Sequence, residues 1–151
     1  MPTFHESDLR RYRFSEIGRV YLITTRTIDR TPFFADWRVG RLVVREMMQE
    51  HMEGRVQSIA WVLMPDHLHW LVELKDTKLS AMVRRVKSVS TRRVNTATGH
   101  AGSVWQRCFH DCAMRREDDL KAMARYVIYN PVKAGLVERV GDYPLWDAMW
   151  L

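Results

Sequence analysis

Alternating and helically spaced apolar side chains along this chain predict four strands and three helices. Strands are predicted where β-branched and aromatic residues cluster between turn residues, at residues 19–25, 56–64, 67–74 and 103–114. Helices are predicted where apolar residues recur at every third or fourth position, at residues 37–52, from residue 77 onward and from residue 117 onward. Residues 95–102, between the second helix and the fourth strand, are predicted to form a loop.

The order of these elements, β-α-β-β-α-β-α, favours an α+β fold. In the ferredoxin-like split βαβ arrangement, an antiparallel sheet carries helices on one face, and here a further C-terminal helix follows the fourth strand. A length of 151 residues fits one domain. We therefore expect a single domain over residues 1–151, with an N-terminal arm at residues 1–18 and an aromatic tail at residues 141–151 that packs across it.

The last predicted helix carries a regular apolar stripe formed by Leu120, Met123, Ala124, Val127 and Ile128. Tyr126 lies on the flank of that stripe. Pro131 disfavours helical geometry at the residue before it, so Asn130 either ends this helix or caps a short one over residues 131–136. If the helix extends that far, Tyr126 and Asn130 share one flank, because they are four residues apart.

Composition indicates a soluble globular protein, since 46% of the residues are hydrophobic and 28% are charged. No apolar run reaches the roughly 20 residues of a membrane helix, and the first twelve residues lack a signal-peptide core. We expect a cytoplasmic, nucleoid-associated protein. Cys108 and Cys112 would lie about 13 Å apart on one face of the fourth strand, too far for a disulfide, so reduced thiols are expected.

A net charge of +6 and an isoelectric point near 9.7 favour a polyanionic partner, nucleic acid before membrane. The second helix has no acidic residue between Asp76 and Asp111 to neutralise it. A cationic helix face is ordinarily only solvated, but here we expect one that follows a phosphate backbone. The same choice, phosphate contact or solvated tail, applies to Arg10-Arg11-Tyr12-Arg13 in the arm. The candidate nucleic-acid-binding residues are Arg84, Arg85, Lys87, Arg92, Arg93 and, on the fourth strand, Arg107.

Two histidines begin the third predicted strand, directly after the turn Met64-Pro65-Asp66. Alternate residues of a strand share a face, so His67 and His69 point the same way with Cα atoms about 6–7 Å apart. Two imidazoles held that close can chelate one divalent ion, although they could also be ordinary polar residues on an exposed sheet face.

Tyr126, on the flank of the last helix, suggests a nucleophile beside that metal pair. A divalent ion polarises a phosphodiester, and a tyrosine hydroxyl can then displace the 3′-oxygen and leave a covalent 5′-phosphotyrosine. Most tyrosines in such positions are simply amphipathic side chains at the rim of a core.

Three segments of the chain resemble the REP-associated tyrosine transposases, relatives of small bacterial insertion-sequence transposases in the His-hydrophobe-His single-strand endonuclease superfamily. They are Met64-Pro65-Asp66-His67-Leu68-His69, Gly102-Ser103-Val104-Trp105-Gln106, and Arg125-Tyr126-Val127-Ile128-Tyr129-Asn130-Pro131-Val132-Lys133-Ala134-Gly135-Leu136-Val137. The third segment is the most specific, and its occurrence together with the histidine pair strengthens the resemblance.

The resemblance implies that His67 and His69 are metal ligands, that Tyr126 is the nucleophile and that Asn130 is the third ligand. Such a neutral donor set suits a loosely held Mg²⁺ or Mn²⁺. The implied substrate is single-stranded or hairpin DNA, bound by a monomer rather than a homodimer. Asp66 stands where the family often has Asn, which offers an alternative third ligand. The tail at residues 143–147 departs from the usual Ser-rich ending.

The expected function is that of a metal-dependent single-stranded DNA endonuclease and strand transferase acting on hairpin-containing repeat DNA. The alternative is a non-catalytic hairpin DNA-binding module that has kept the fold. A third hypothesis is a structural domain in which His67 and His69 hold zinc.

Overall fold

The computed structural model describes residues 16–115 and 119–149. Its strands are β1 (Val20–Arg26), β2 (Val56–Met64), β3 (His67–Leu74), β4 (His110–Ala113) and β5 (Trp146–Ala148). The α-helices within these ranges are α1 (Trp37–Met52), α2 (Leu79–Thr98) and α3 (Leu120–Lys133). The predicted phosphate-contacting residues 10–13 of the arm and the first two acids of the predicted third helix, Glu117 and Asp118, lie outside the described residues.

The five strands form one antiparallel sheet in the order β4-β1-β3-β2-β5. The first four strands of that order give the ferredoxin-like topology predicted from the element order. A short turn joins β2 and β3, and their pairing runs from Met64 opposite His67 to Val56 opposite Leu74. β3 therefore lies in the centre of the sheet, and its first residue lies at the end next to the turn.

Buried side chains divide into two clusters on opposite faces of the sheet. Leu68, Trp70 and Val72 of β3 belong to the cluster that packs against α1 and α2. Leu71 belongs to the other cluster, which packs against α3. Two helices thus cover one face and the C-terminal helix covers the other, which confirms the predicted architecture.

Helix α2 is longer than the sequence pattern predicted. Residues 95–98 were expected in a loop, but they continue the helix, because Val94 is buried against the core and Gly99 ends the helix with a positive φ of 74°. Asn95 also stabilises the end of the helix, since its Nδ2 donates a hydrogen bond to the carbonyl of Gly102 at 2.8 Å.

The predicted fourth strand at residues 103–114 is wrong for most of its length, since only His110–Ala113 pair with β1. Trp105 makes one isolated bridge with Thr27, and its indole donates to the buried Ser90 hydroxyl at 3.0 Å. This indole anchors the segment to α2, and beyond the bridge at Trp105 the segment does not continue as a strand. Cys108 therefore does not share a strand with Cys112, and the two do not form a disulfide with each other.

Helix α3 begins after Asp119, whose carboxylate accepts a hydrogen bond from the Ala122 amide at 3.1 Å. The helix continues through Asn130 and Pro131, so both predicted alternatives, an end or a cap at Asn130, are wrong. Proline lacks the amide hydrogen that would reach the carbonyl four residues earlier, which is that of Val127. The Asn130 side chain replaces the missing donor, because its Nδ2 donates to the Val127 carbonyl at 3.0 Å.

The tail packs across the domain as predicted, over the residues that the structure describes. β5 pairs with β2, and the Tyr143 hydroxyl donates to the Leu63 carbonyl at 2.6 Å. Leu145 is buried so close to α1 that a Cβ on Gly40 would lie 2.5 Å from its Cδ1. None of the described helices is both long enough and apolar enough to span a membrane.

Candidate active site

His67 and His69 lie at the start of β3, on the face that α3 covers. They alternate with Leu68 and share the face of Leu71, which packs in the α3 cluster. Their ring centroids are 4.9 Å apart and the rings are nearly perpendicular, at 86°. The two imidazoles are therefore side by side, as the spacing of the sequence predicted.

Each imidazole has its Nδ1 atom held by a neighbouring side chain. His67 Nδ1 lies 2.7 Å from Asp66 Oδ1, and His69 Nδ1 lies 2.9 Å from the Thr24 hydroxyl across the strand pair. Neither Nε2 atom makes a hydrogen bond within residues 16–115 and 119–149. Histidines that ligate metals characteristically bind through one ring nitrogen while a partner holds the other, and the contacts at Nδ1 leave Nε2 of both rings available.

The electrostatics of the site keep His69 in the form that binds metal. Burial, with smaller electrostatic contributions from His67 and Arg26, lowers the pKa of His69 to about 4. At neutral pH the ring is uncharged, and a neutral imidazole is the ligand form.

Asp66 has both carboxylate oxygens engaged. Oδ1 contacts His67, and Oδ2 accepts a hydrogen bond from Arg30 Nε at 2.9 Å. Burial alone would raise the pKa of Asp66, but the hydrogen bonds from His67 and Arg30 outweigh it and lower the pKa below its ordinary value. Asp66 is thus a carboxylate that is already partnered on both sides.

Tyr126 lies on α3, and 51% of it is exposed. Its ring lies 5.6 Å from the Lys133 ammonium, measured to the ring centroid. The structure brings the helix of Tyr126 to the face of the histidine pair, but within the described ranges the Tyr126 hydroxyl makes no hydrogen bond to either imidazole.

Asn130 uses its side-chain nitrogen within the helix, on the carbonyls of Tyr126 and Val127. Its Oδ1 is the atom left to act as a ligand. Among the described residues, no three His, Cys, Asp or Glu side chains converge as a metal-binding group. The implied set of two imidazoles and one amide is not a cluster of that type, and Asn130 as third ligand stays a prediction.

The expectation that nothing neutralises the cationic face of α2 is wrong. Arg85 Nη2 lies 2.6 Å from the buried carboxylate of Glu50, and Arg93 Nε lies 3.0 Å from Glu46. Both acids belong to α1, which packs beside α2 and lies outside the stretch that the charge count covered. These two arginines hold the helices together.

A groove of about 730 Å³ separates α2 from residues 103–109 and gathers the other predicted cationic residues. Arg84, Arg92 and Arg107 line it, are exposed, and make no ion pair within the part of the chain that the structure describes. Lys87 also lines it and donates to the carbonyls of Gln106 and Cys108 at 2.8 and 3.0 Å. The groove is therefore positively charged and its far wall is fixed to α2.

One end of this groove meets the end of the sheet that carries the histidines. The Gln106 amide donates to the Arg26 carbonyl at 2.8 Å, and Arg26 is paired directly opposite His67. Arg26 is half-buried, shares the histidine face and makes no ion pair within the described residues. Arg26 thus connects Gln106, which lines the groove, to the strand position opposite His67, although α2 itself covers the other face of the sheet.

Sequence reasoning missed Thr24, Arg26 and Arg30 as parts of the site. The first two are placed by the register of β1 against β3, and Arg30 is 36 residues from the carboxylate it contacts. None of these three residues belongs to a short motif. Thr24 and Arg26 could have been found only by predicting how β1 pairs with β3.

Comparison with known proteins identifies the family of this chain. A family model described as transposase, IS200-like, matches residues 17–130. A Haemophilus influenzae protein assigned to the REP-associated tyrosine transposases is 31% identical over 139 residues, covering 84% of this chain and 78% of that protein. The Escherichia coli REP-associated tyrosine transposase is 32% identical over 87 residues, 56% of this chain and half of that protein.

Solved structures show the same fold. A REP-associated tyrosine transposase bound to a REP hairpin superposes with a TM-score of 0.72 at 23% identity, covering 97% of this chain and 82% of that one. A Deinococcus radiodurans protein assigned as a transposase superposes with a TM-score of 0.54 at 19% identity, covering 77% and 93% of the two chains. The resemblance to the REP-associated tyrosine transposases is confirmed, and the chain belongs to the IS200-like transposase family.

Proposed function

We propose that this chain is a metal-dependent endonuclease and strand transferase for single-stranded DNA, acting on hairpin-containing repeats through a 5′-phosphotyrosine at Tyr126. The observation that carries the proposal is the pair His67 and His69, each held at Nδ1 with Nε2 left for a ligand. The pair lies on the sheet face covered by the helix of Tyr126, in a chain of a DNA-processing family.

The donor set fits a divalent metal ion. His67 and His69 would hold it through Nε2, and Asn130 would hold it through Oδ1. Two neutral nitrogens and an amide oxygen form a weak set that suits Mg²⁺ or Mn²⁺ with water and phosphate oxygens as the remaining ligands. When bound, such an ion neutralises charge on the scissile phosphate and orients it for in-line attack.

Tyr126 supplies the attacking oxygen. Its hydroxyl oxygen forms a bond to the phosphorus, its proton passes to solvent, and the bond from phosphorus to the 3′-oxygen breaks. The leaving 3′-oxygen takes a proton, and the 5′-phosphate stays on the tyrosine. The Lys133 ammonium, 5.6 Å from the centroid of the Tyr126 ring, places a cation beside this side chain. A second 3′-hydroxyl can reverse the reaction, so strand transfer needs no nucleotide cofactor.

The groove beside α2 is the surface we assign to the DNA backbone. Its exposed arginines, Arg84, Arg92 and Arg107, offer guanidinium groups to successive phosphates. Arg26 continues this cationic path to the histidine pair. A similar fold is known with a REP hairpin bound, which supports hairpin DNA as the partner.

The test is incubation with end-labelled single-stranded hairpin DNA from repeats that flank the chain's own gene, with Mg²⁺ or Mn²⁺. We expect a covalent protein–DNA adduct on a denaturing gel that disappears with EDTA and with Tyr126→Phe. Tyr129→Phe is the matched control, since Tyr129 lies on the same helix and is 53% exposed, and it should keep the adduct. DNA that shifts in a native gel without ever forming an adduct would establish the non-catalytic binding module instead.

A further inference from the structure

Two consecutive residues after β1 have left-handed backbone geometry beside the histidine site. Asp29 has φ of 52° and Arg30 has φ of 53°. Residues other than glycine rarely adopt this region, because it strains the backbone. The loop is fixed to the β2–β3 turn, because the Thr27 amide and hydroxyl both donate to the Asp66 carbonyl, at 2.9 and 3.2 Å.

The strained conformation places the Arg30 side chain on Asp66. Arg30 Nε donates to Asp66 Oδ2 at 2.9 Å, and Asp66 Oδ1 lies 2.7 Å from His67 Nδ1. The exposed fraction of the three side chains falls along this relay, from 51% for Arg30 to 25% for Asp66 and 19% for His67. A cation at the surface thus anchors a carboxylate, which in turn anchors an imidazole.

We propose that Arg30 and Asp66 are positioning residues for His67. Asp66 accepts the Nδ1 proton of His67 and so fixes the tautomer and the ring orientation that present Nε2 to the metal, and Arg30 fixes the carboxylate. The assignment rests on the proposed function, because it gives His67 the role of a ligand. It also assigns the Asp66 carboxylate to His67 and Arg30 instead of to the ion.

His69 provides an internal comparison. Its Nδ1 contacts the neutral hydroxyl of Thr24, on a different strand from Asp66. A change at Asp66 or Arg30 should therefore alter His67 and leave the His69 tautomer as it was. A general disturbance of the sheet would alter both rings.

The test is long-range ¹H–¹⁵N NMR of the two rings in the metal-free and DNA-free protein at pH 8, above the ordinary imidazole pKa of about 6.5. We expect wild-type His67 in the Nδ1–H tautomer, and Asp66→Ala should shift it toward Nε2–H without changing His69. Wild-type His67 already in the Nε2–H form, or a tautomer unchanged by Asp66→Ala, would overturn the proposal.

The role of Arg30 is tested by a pair of glycine substitutions in the same loop. Arg30→Gly and Asp29→Gly each relieve one left-handed residue, so neither should impair folding. Arg30→Gly also removes the guanidinium, whereas Asp29→Gly keeps it. Mn²⁺ affinity measured by titration calorimetry should fall severalfold in Arg30→Gly and stay unchanged in Asp29→Gly. Equal losses in both variants would assign the effect to the loop backbone and refute the role of the guanidinium.

A double substitution tests whether Arg30 acts through Asp66. Asp66→Ala alone should weaken Mn²⁺ binding by about 10–100-fold, the usual effect of removing the partner of a ligating histidine. Arg30→Gly should add nothing further in that background, and additive losses would overturn the relay. The positioning role and the proposed function can fail independently. If the His67 tautomer depends on Asp66 but the protein forms no adduct at Tyr126, the positioning role stands and the strand-transferase function is rejected.

Discussion

Replacing Asn130 separates two roles that the same side chain has been given, one in the helix and one at the metal. In α3, Asn130 Nδ2 donates to the Val127 carbonyl, the acceptor that Pro131 leaves without an amide partner. Val127 is fully buried, so no water replaces the donor when Asn130→Ala removes it. An unsatisfied buried carbonyl costs about 1–3 kcal/mol, and the free energy of unfolding should fall by that amount.

The second substitution, Pro131→Ala, returns a backbone amide to the same carbonyl. In that background the cost of Asn130→Ala should shrink by about 1–2 kcal/mol, because the two donors serve one acceptor. Urea unfolding of the wild type, both single variants and the double variant gives this coupling directly. An Asn130→Ala cost that is equal in both backgrounds would refute the reasoning that the side chain substitutes for the missing amide.

The same four proteins test the metal role. If Asn130 Oδ1 is a ligand, the double variant regains stability but not the Mn²⁺-dependent adduct, because the substituted residue has no oxygen to offer. Adduct formation restored together with stability would confine Asn130 to its role in the helix.

Three further outcomes follow from named contacts. Arg92→Gln in the groove should weaken binding of hairpin DNA, and in a salt series of native gels it should reduce the slope of log affinity against log salt by about one. Arg93→Gln breaks an ion pair within the protein and should leave that slope unchanged. Glu50→Gln should lower the free energy of unfolding by about 3 kcal/mol in urea, because the buried carboxylate faces two guanidinium groups that would lose their counter-charge; a loss under 1 kcal/mol would contradict this. Burial raises the pKa of Tyr143 to about 12, so the folded state holds the phenol proton more tightly than the unfolded state. The free energy of unfolding should therefore fall as pH rises from about 10 toward 12. Tyr143→Phe should remove that part of the fall, and at neutral pH should cost about 1 kcal/mol for the lost bond to the Leu63 carbonyl.

Local rules were sufficient for several elements of this protein. The helix at residues 37–52 and the strands at residues 56–64 and 67–74 have the predicted bounds. The signals that set these bounds are local: a capping aspartate, the spacing of apolar residues and a turn at Pro65. The common face of His67 and His69 follows from the two-residue period of a strand alone. Their role as a metal pair and that of Tyr126 came from motifs, and these roles remain to be tested.

Tertiary structure decided what surrounds those residues. Glu50 neutralises Arg85 from another helix, Arg30 reaches Asp66 across 36 positions, and Thr24 meets His69 through the register of two strands. Local propensity also failed where a side-chain contact outweighed it. Residues 103–109 do not form the predicted strand, because Trp105 holds them against α2. The last helix continues through Pro131, because a side chain replaces the missing backbone donor. Sequence by itself determined which residues share a face, since that depends on the repeat of one element. Which groups meet across elements depended on packing, because the free energy of those contacts comes from side chains that only the folded chain brings together.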